Sequence, residues 1–179
     1  MADVIFRNDS DGVSAPDGEG AKAEAGDEVM AIIELLFFAY RDFTSEPDHL
    51  LEKDGFGRAH HRVVHFVHRN PGLRVADLLD ILRITKQSLG RVLRQLVERG
   101  YIEQREGVND RRERRLFTTD RGAALARTLA APQRQRIHAA LDRLSGEGRD
   151  EVRAFLLELV NEDDRAQVRR LIAHREQPE

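Results

Sequence analysis

The segment that decides the fold runs from Val75 to Gly100 and reads VADLLDILRITKQSLGRVLRQLVERG. Its first half repeats apolar residues at the i, i+3, i+4, i+7 spacing of one helical face: Val75, Leu78, Leu79 and Leu82. Its second half repeats that spacing: Leu89, Val92, Leu93 and Leu96. Between the halves, Thr85 can cap the second helix through its side-chain oxygen, and Gly100 can end that helix. Two short helices joined by a tight turn indicate a helix-turn-helix.

A charged β-hairpin is predicted directly after these helices. One strand covers about Tyr101 to Arg105, the polar stretch from Glu106 to Arg114 turns, and Arg115-Leu116-Phe117-Thr118 returns. From Lys86 to Arg115 the chain has nine Lys and Arg against five Asp and Glu, which is +4 in a protein of net charge −3. The remainder therefore carries −7. Phosphate binding depends on local positive potential rather than on the total charge.

The second helix has a polar face opposite its buried one: Gln87, Ser88, Arg91, Arg94, Gln95 and Glu98. Glutamine pairs with adenine edges, arginine pairs with guanine edges, and serine contacts bases or phosphates. Lys86 and Thr85 lie at the helix start, where backbone N–H groups also favour a phosphate. The face thus predicts major-groove reading, although a solvated charged face is the alternative for this helix taken alone.

The hairpin strengthens the interpretation as a DNA-binding unit. Four arginines crowd its turn and returning strand: Arg111, Arg112, Arg114 and Arg115. A narrow minor groove has strong negative potential and attracts inserted arginine. Asp110 can orient a guanidinium group through paired hydrogen bonds. The alternative is a surface hairpin with compensating charges.

Composition excludes several other classes of protein. The chain has no cysteine, which rules out disulfides, thiolate metal sites and cysteine redox sensing. The most apolar run, Val29 to Tyr40, contains Glu34 and is too short to span a bilayer. We find no export signal at the N-terminus and expect a cytoplasmic protein.

Outside this region the chain is expected to be helical after an acidic, disordered tail at residues 1–26. A helix from about Asp27 to Phe43 is apolar around most of its circumference, which favours burial against a second chain over burial in a monomer core. Another helix covers Phe56 to Arg69. After Thr119 the pattern is helical again, with a kink or division at Pro132, a cap at Ser145-Gly146 and interruption at residues 161–164 before a final helix.

Leu78 to Leu125 resembles the MarR family of bacterial transcriptional regulators. The matching segments are residues 75–79, 85–89, 96–102, Asn109-Asp110-Arg111-Arg112 and 116–122. The Asp-Arg-Arg turn, together with the Leu-x-x-x-Gly helix end before it and the Thr-x-x-Gly after it, is a specific combination. With one helix before and two after, the resemblance extends over most of Asp27 to Ala173. One departure is small, since Phe117-Thr118 stands where the family usually has Leu-Thr.

The resemblance implies a mainly α fold: an α+β winged helix-turn-helix with a two-to-three-stranded wing, and a dimerisation region built from the N- and C-terminal helices. The expected parts are a dimerisation helix and loop at 27–55, the DNA-binding domain at 56–122, dimerisation helices at 123–174 and a tail at 175–179. Each subunit of the homodimer would bind double-stranded DNA. Lys86 to Gln95 would read the major groove, Arg112 would enter the minor groove, and Asp110 would support it.

A small organic effector, aromatic or phenolic, is the ligand that the resemblance implies, bound between the dimer helices and the winged domain. The expected lining residues are Phe37, Tyr40, Phe43, Val64 and Phe117. The alternative is that these residues only pack the core.

The histidine-rich second helix is a weak candidate for a metal site. His61 and His65 are spaced i, i+4, and His65 and His68 are spaced i, i+3, a spacing that can chelate a transition metal. Ordinary surface or interface histidines are the favoured alternative, so no cofactor is expected.

Two rival functions fit the sequence less well. An enzyme is disfavoured because the sequence has no Gly-rich phosphate loop, no nucleophile motif and no metal-spaced carboxylate pair. An architectural winged helix that does not read sequence is disfavoured by the Gln, Arg and Ser face, since backbone binding would favour lysine alone. A sequence-specific regulator on a pseudo-palindromic operator is the leading hypothesis.

Overall fold

The structure is a computed structural model that describes residues 19–107 and 113–173, with side chains from residue 26 onward. The described residues up to Asp42 and the described residues from Phe43 onward form two compact units. The predicted tail before Glu19, the turn residues 108–112 and the last six residues lie outside the described part. Within that part, no helix is both long enough and apolar enough to cross a bilayer.

The first helix, α1, is longer than the sequence indicated. It spans Glu19–Glu52, 34 residues, instead of about Asp27 to Phe43. The expected disordered tail at residues 1–26 is thus corrected for residues 19–26, which are helical. Alanine, glutamate and lysine dominate that stretch and are strong helix formers. At the other end α1 continues through Pro47.

The helix-turn-helix elements follow closely the predicted bounds. Helix α2 spans Arg58–Arg69, α3 spans Val75–Leu82 and α4 spans Lys86–Glu98. Thr85 is confirmed as the N-cap of α4, because its side chain accepts a hydrogen bond from the Ser88 N–H. Gly100 follows the end of α4 with a φ of 70°, in the left-handed region that glycine tolerates.

A three-stranded antiparallel sheet forms the wing: β1 is Leu73–Arg74, β2 is Ile102–Glu106 and β3 is Arg114–Thr118. The strand order is β1-β3-β2, with β3 in the middle. Leu116 of β3 is opposite Leu73 on one side and Gln104 on the other. This sheet confirms the winged-helix fold, with three strands in the part of the chain that the structure describes.

A continuous core lies under these elements, and its buried members among the described residues run from Leu51 to Leu129. Leu78 of α3, Leu96 of α4 and Leu116 of β3 are fully buried, as are the inward residues of α2. Buried apolar area supplies the main driving force for folding. The core therefore holds α4 and the wing on the same scaffold.

Three helices follow in the described residues up to 173: α5 at Asp120–Leu141, α6 at Gly146–Glu158 and α7 at Glu162–Ala173. Of the kink or division predicted at Pro132, the division does not occur, since α5 runs through this proline without interruption. The Ser145 cap and the break before the last helix are confirmed. Helices α6 and α7 have no fully buried residue, although α6 carries large apolar side chains.

Candidate nucleic-acid interface

The turn between α3 and α4 is fixed by local hydrogen bonds. The Thr85 hydroxyl oxygen accepts from the Ser88 N–H at 3.1 Å and donates to the Ser88 hydroxyl at 2.9 Å. Arg83 ends α3 in the left-handed region with a φ of 52°. The Arg62 guanidinium donates to the Leu82 carbonyl at 3.1 Å. This bond supplies a partner for one of the carbonyl groups that the end of a helix leaves without one. The direction in which α4 leaves the turn is therefore well defined.

The outer face of α4 is cationic and unneutralised. Leu89, Val92, Leu93 and Leu96 are buried on the inner side. Lys86, Gln87, Arg91 and Arg94 are exposed. Among the described residues, none of these three cations forms a salt bridge, whereas most wing arginines do. Cations without carboxylate partners remain available for phosphates and base edges.

Gln95 departs from the expected outward orientation. It is half-buried, and its Oε1 lies 2.6 Å from Nε2 of His60 on α2. Thr85 and Ser88, although exposed, are bonded to each other at the helix cap. Five residues of the predicted face on α4 are exposed and make no such contact: Lys86, Gln87, Arg91, Arg94 and Glu98.

The described base of the wing has compensated charges. Arg114 pairs with Glu106 across the two strands at 3.1 Å, and Arg115 pairs with Glu113 at 2.8 Å. The Arg105 guanidinium lies 4.3 Å from the centre of the Phe117 ring. Exposed ion pairs of this kind are weak and exchange partners readily. The predicted wing-tip residues Asp110, Arg111 and Arg112 lie outside the described residues.

An open groove of about 1020 Å³ separates α3 and α4 from the wing. Its floor is apolar, with Leu79, Leu93 and Val97. Four cations and two carboxylates lie around it: Arg74, Lys86, Arg94, Arg114, Glu98 and Glu113. The excess of cations places positive potential beside the exposed face of α4, as a polyanion requires.

Arg74 and Asp77 hold the start of α3 beside this groove. The Arg74 Nε donates to Asp77 Oδ2 at 2.8 Å, and the Arg74 backbone N–H reaches the same oxygen at 3.3 Å. The hydrogen-bonded guanidinium lowers the pKa of the Asp77 carboxyl, against the opposing effect of burial. Asp77 is therefore ionised at neutral pH and caps the helix.

Comparison with known proteins decides the class. Residues 54–113 match the model of the MarR family. The chain is 48% identical over 126 residues to the HTH-type transcriptional regulator PetP of Rhodobacter capsulatus. The matched region covers 70% of this chain and 76% of PetP. The chain belongs to the MarR family. It is a winged helix-turn-helix transcriptional regulator, a class of DNA-binding protein and not of enzyme.

Solved MarR-family structures share the fold. The crystal structure of the MarR family transcription regulator SP03579 has a TM-score of 0.65 at 19% identity, covering 78% of this chain and 92% of that one. The S. aureus MepR–DNA complex has a TM-score of 0.55 at 20% identity, covering 70% of this chain and 93% of that one. At such identities the likeness concerns the fold, which here includes the helix-turn-helix and the wing.

The histidines of α2 in this MarR-family chain do not form a metal-binding cluster. Among the described residues, no group of three or more potential ligands is arranged to hold a metal. The ring centres of His61 and His65 are 6.4 Å apart. Burial lowers the pKa of His61, and burial with nearby Arg127 and Arg69 lowers the pKa of His68. Positive neighbours also disfavour a bound cation.

The five residues expected to line an effector pocket occupy different environments. Val64 is fully buried and belongs to the hydrophobic core. Phe117 and Phe43 are half-buried, and the Phe117 ring faces Arg105. Phe37 and Tyr40 are exposed by 70% and 58%, which leaves them open to a further contact.

A cavity of about 750 Å³ between α2 and α5 was missed from the sequence. Basic residues and alanines line it: His65, His68, Arg69, Arg127, Arg134, Ala126, Ala130 and Ala131. Among the described residues, its three arginines have no carboxylate partner. The sequence does contain a pattern that could have indicated this surface. Arg127, Ala130, Ala131 and Arg134 follow the spacing of one helical face.

His60 was also missed as a partner of α4. Its contact with Gln95 joins residues 35 positions apart, and no local pattern indicates such a pairing. The signal that could have drawn attention to it is the run of histidines in α2, of which only His60 is bonded to α4 among the described contacts.

Proposed function

We propose that this regulator works as a homodimer on a pseudo-palindromic operator, with one α4 in each of two successive major grooves. The observation that carries the proposal is the exposed, unpaired face of Gln87, Arg91 and Arg94 behind a capped turn. Two such helices would lie about 34 Å apart, one turn of DNA. The wing of each subunit would contact the neighbouring minor groove through Arg112.

The exposed apolar side chains support the dimer. On α1, Leu35, Phe37 and Tyr40 are each more than half exposed. On α6, four apolar side chains follow one helical face, and each is more than a third exposed: Val152, Phe155, Leu156 and Leu159. Apolar stripes of this length are usually covered by a partner. A second copy of the chain is the occupant expected for a family member.

Sedimentation tests the dimer. Leu156→Glu would place a charge in the α6 stripe and shift the protein from dimer to monomer at micromolar concentration. Gln167→Glu adds the same charge at an exposed position of α7 and serves as the matched control. A wild-type protein that sediments as a monomer would refute the proposal.

Operator binding tests the DNA-reading face. A binding site would first be selected from genomic fragments with the purified protein. Arg91→Ala should then weaken binding by about 1–3 kcal/mol and relax the preference at particular bases. Arg153→Ala removes the same charge from an exposed position of α6 and should leave affinity nearly unchanged. Equal losses in the two variants would contradict base reading by α4.

We further propose that a small organic anion releases the operator by binding in the basic cavity between α2 and α5. Three unpaired arginines and an alanine floor suit a carboxylate or phosphate attached to an apolar body. Occupation of the cavity would alter the spacing of the two α4 helices, and affinity would fall without any change in the contacting residues.

The effector test uses aromatic carboxylates as probes. Active compounds should raise the melting temperature and reduce operator affinity, while Arg127→Ala should lose both responses and keep its DNA binding. Arg143→Ala, at another exposed position of the C-terminal helical region, is the matched control. The assignment of this cavity fails if no carboxylate stabilises the wild type. It also fails if Arg127→Ala responds to the carboxylates as strongly as the wild type.

A further inference from the structure

His60 lies in the first turn of α2 with both ring nitrogens engaged. Nδ1 is 3.1 Å from the backbone N–H of Gly57, which donates to it. Nε2 is 2.6 Å from Oε1 of Gln95 on α4. The ring also stacks on Phe56, with centres 4.6 Å apart and planes at 18°. His60 is therefore held in one orientation, against α4.

These contacts determine the hydrogen positions. A ring nitrogen that accepts a hydrogen bond carries no proton, so Nδ1 is bare. The neutral imidazole then has its proton on Nε2, and Nε2–H must donate. Only the oxygen of the Gln95 amide can accept this bond. The amide is thereby fixed with its oxygen toward His60 and its NH₂ group as the remaining donor.

We infer that His60 is a positioning residue that makes Gln95 a hydrogen-bond donor toward DNA. A free glutamine reads adenine with both amide atoms, accepting from N6 and donating to N7. With the oxygen of Gln95 turned toward His60, its NH₂ group is left to act as a donor. Guanine offers such a donor two adjacent acceptors, N7 and O6, and thymine offers O4, whereas the single acceptor of adenine, N7, lies beside the N6 amino group, which is itself a donor. The NH₂ group therefore favours guanine or thymine. The inference rests on the proposed function, because it requires α4 to lie in the major groove. It replaces the adenine preference expected for a glutamine at this place.

The position of Gln95 on α4 is consistent with this role. Gln95 lies one helical turn after Arg91 and next to Arg94, both exposed, and it is itself half-buried. A flanking residue of this kind reaches the edge of the contacted site rather than its centre. Its contribution is therefore a preference at one base position in each half-site, superimposed on the contacts of the outer face.

The experiment is selection of bound sequences from random duplex DNA with the full-length wild type and three variants. The wild type should prefer guanine or thymine at one position of each half-site. Gln95→Glu keeps an acceptor for His60 and removes the donor, so the preference there should change to cytosine or adenine, which carry exocyclic amines. Gln167→Glu adds the same charge at an exposed position of α7, outside the DNA-reading face, and should leave this position unchanged.

His60→Phe separates positioning from packing, because the phenyl ring retains the stack on Phe56 but releases the Gln95 amide. The keto preference should fall about threefold to tenfold at that position, the scale of one hydrogen bond, with the rest of the selected motif unaltered. Nitrogen NMR of the free wild-type protein should show the Nε2–H form of the His60 ring, the tautomer on which the orientation of the Gln95 amide depends.

Three results would overturn the inference. The first is that the wild type selects adenine at the position that Gln95→Glu alters. The second is that Gln95→Glu alters no position. The third is a His60 ring protonated at Nδ1. A wild type that selects no motif at all would overturn the operator-binding function as well, so the two failures are distinguishable.

Discussion

Replacing Gly122 with alanine is the sharpest test of how α5 is joined to the winged domain. The added methyl carbon would lie 1.9 Å from the Tyr101 carbonyl oxygen, and real Cβ contacts stay beyond about 3.0 Å. The start of α5 must therefore move by about 1.1 Å or more. Both atoms are fixed to the backbone, so no rotamer change relieves the clash. The same carbonyl accepts the Thr119 N–H at 3.1 Å, which the movement would also break.

The expected cost is at the upper end of overpacking penalties, about 3 kcal/mol. For a chain of this size that lowers the melting temperature by about 6–12 °C. Urea denaturation followed by circular dichroism measures the free energy of unfolding directly.

Gly90→Ala is the matched control, because nothing lies within 4 Å of a methyl group at that position of α4. It should raise stability by about 0.5–1 kcal/mol through helix propensity. If Gly122→Ala is as stable as the wild type, the close approach of α5 to Tyr101 is not present in solution.

Other predictions concern caps and titration. Thr85→Ala removes the acceptor of the Ser88 N–H and should cost about 1 kcal/mol in urea unfolding, with a matching loss of operator affinity; an unchanged unfolding midpoint would contradict it. Asp77→Asn should cost about 0.5–1 kcal/mol at pH 7, and the difference should vanish as the pH falls through the lowered pKa of Asp77, whose ionised form Arg74 holds. Burial and two nearby arginines lower the pKa of His68, so folding resists its protonation; stability should fall as the pH drops below about 6.5, and His68→Gln should reduce that slope.

The amino-acid sequence by itself determined the helix-turn-helix, the caps at Thr85 and Ser145, the hairpin and the mainly α class. These features depend on interactions within about four residues, where apolar spacing and capping side chains act. The excess positive charge of the hairpin region was also evident from the sequence, because it follows from counting charged residues. The family resemblance added the dimer and the roles of Asp110 and Arg112, which remain predictions.

Tertiary structure alone decided which side chains on those elements are free. Gln95 and Arg91 both look outward from helical spacing, yet Gln95 is bonded to His60 from another helix. The β1 strand has two residues and exists only through pairing with β3. The arginine cavity joins α2 to α5, and Gly122 matters only because Tyr101 approaches it. Each of these contacts joins residues distant along the chain, so its energy depends on the packed core, which no local pattern encodes.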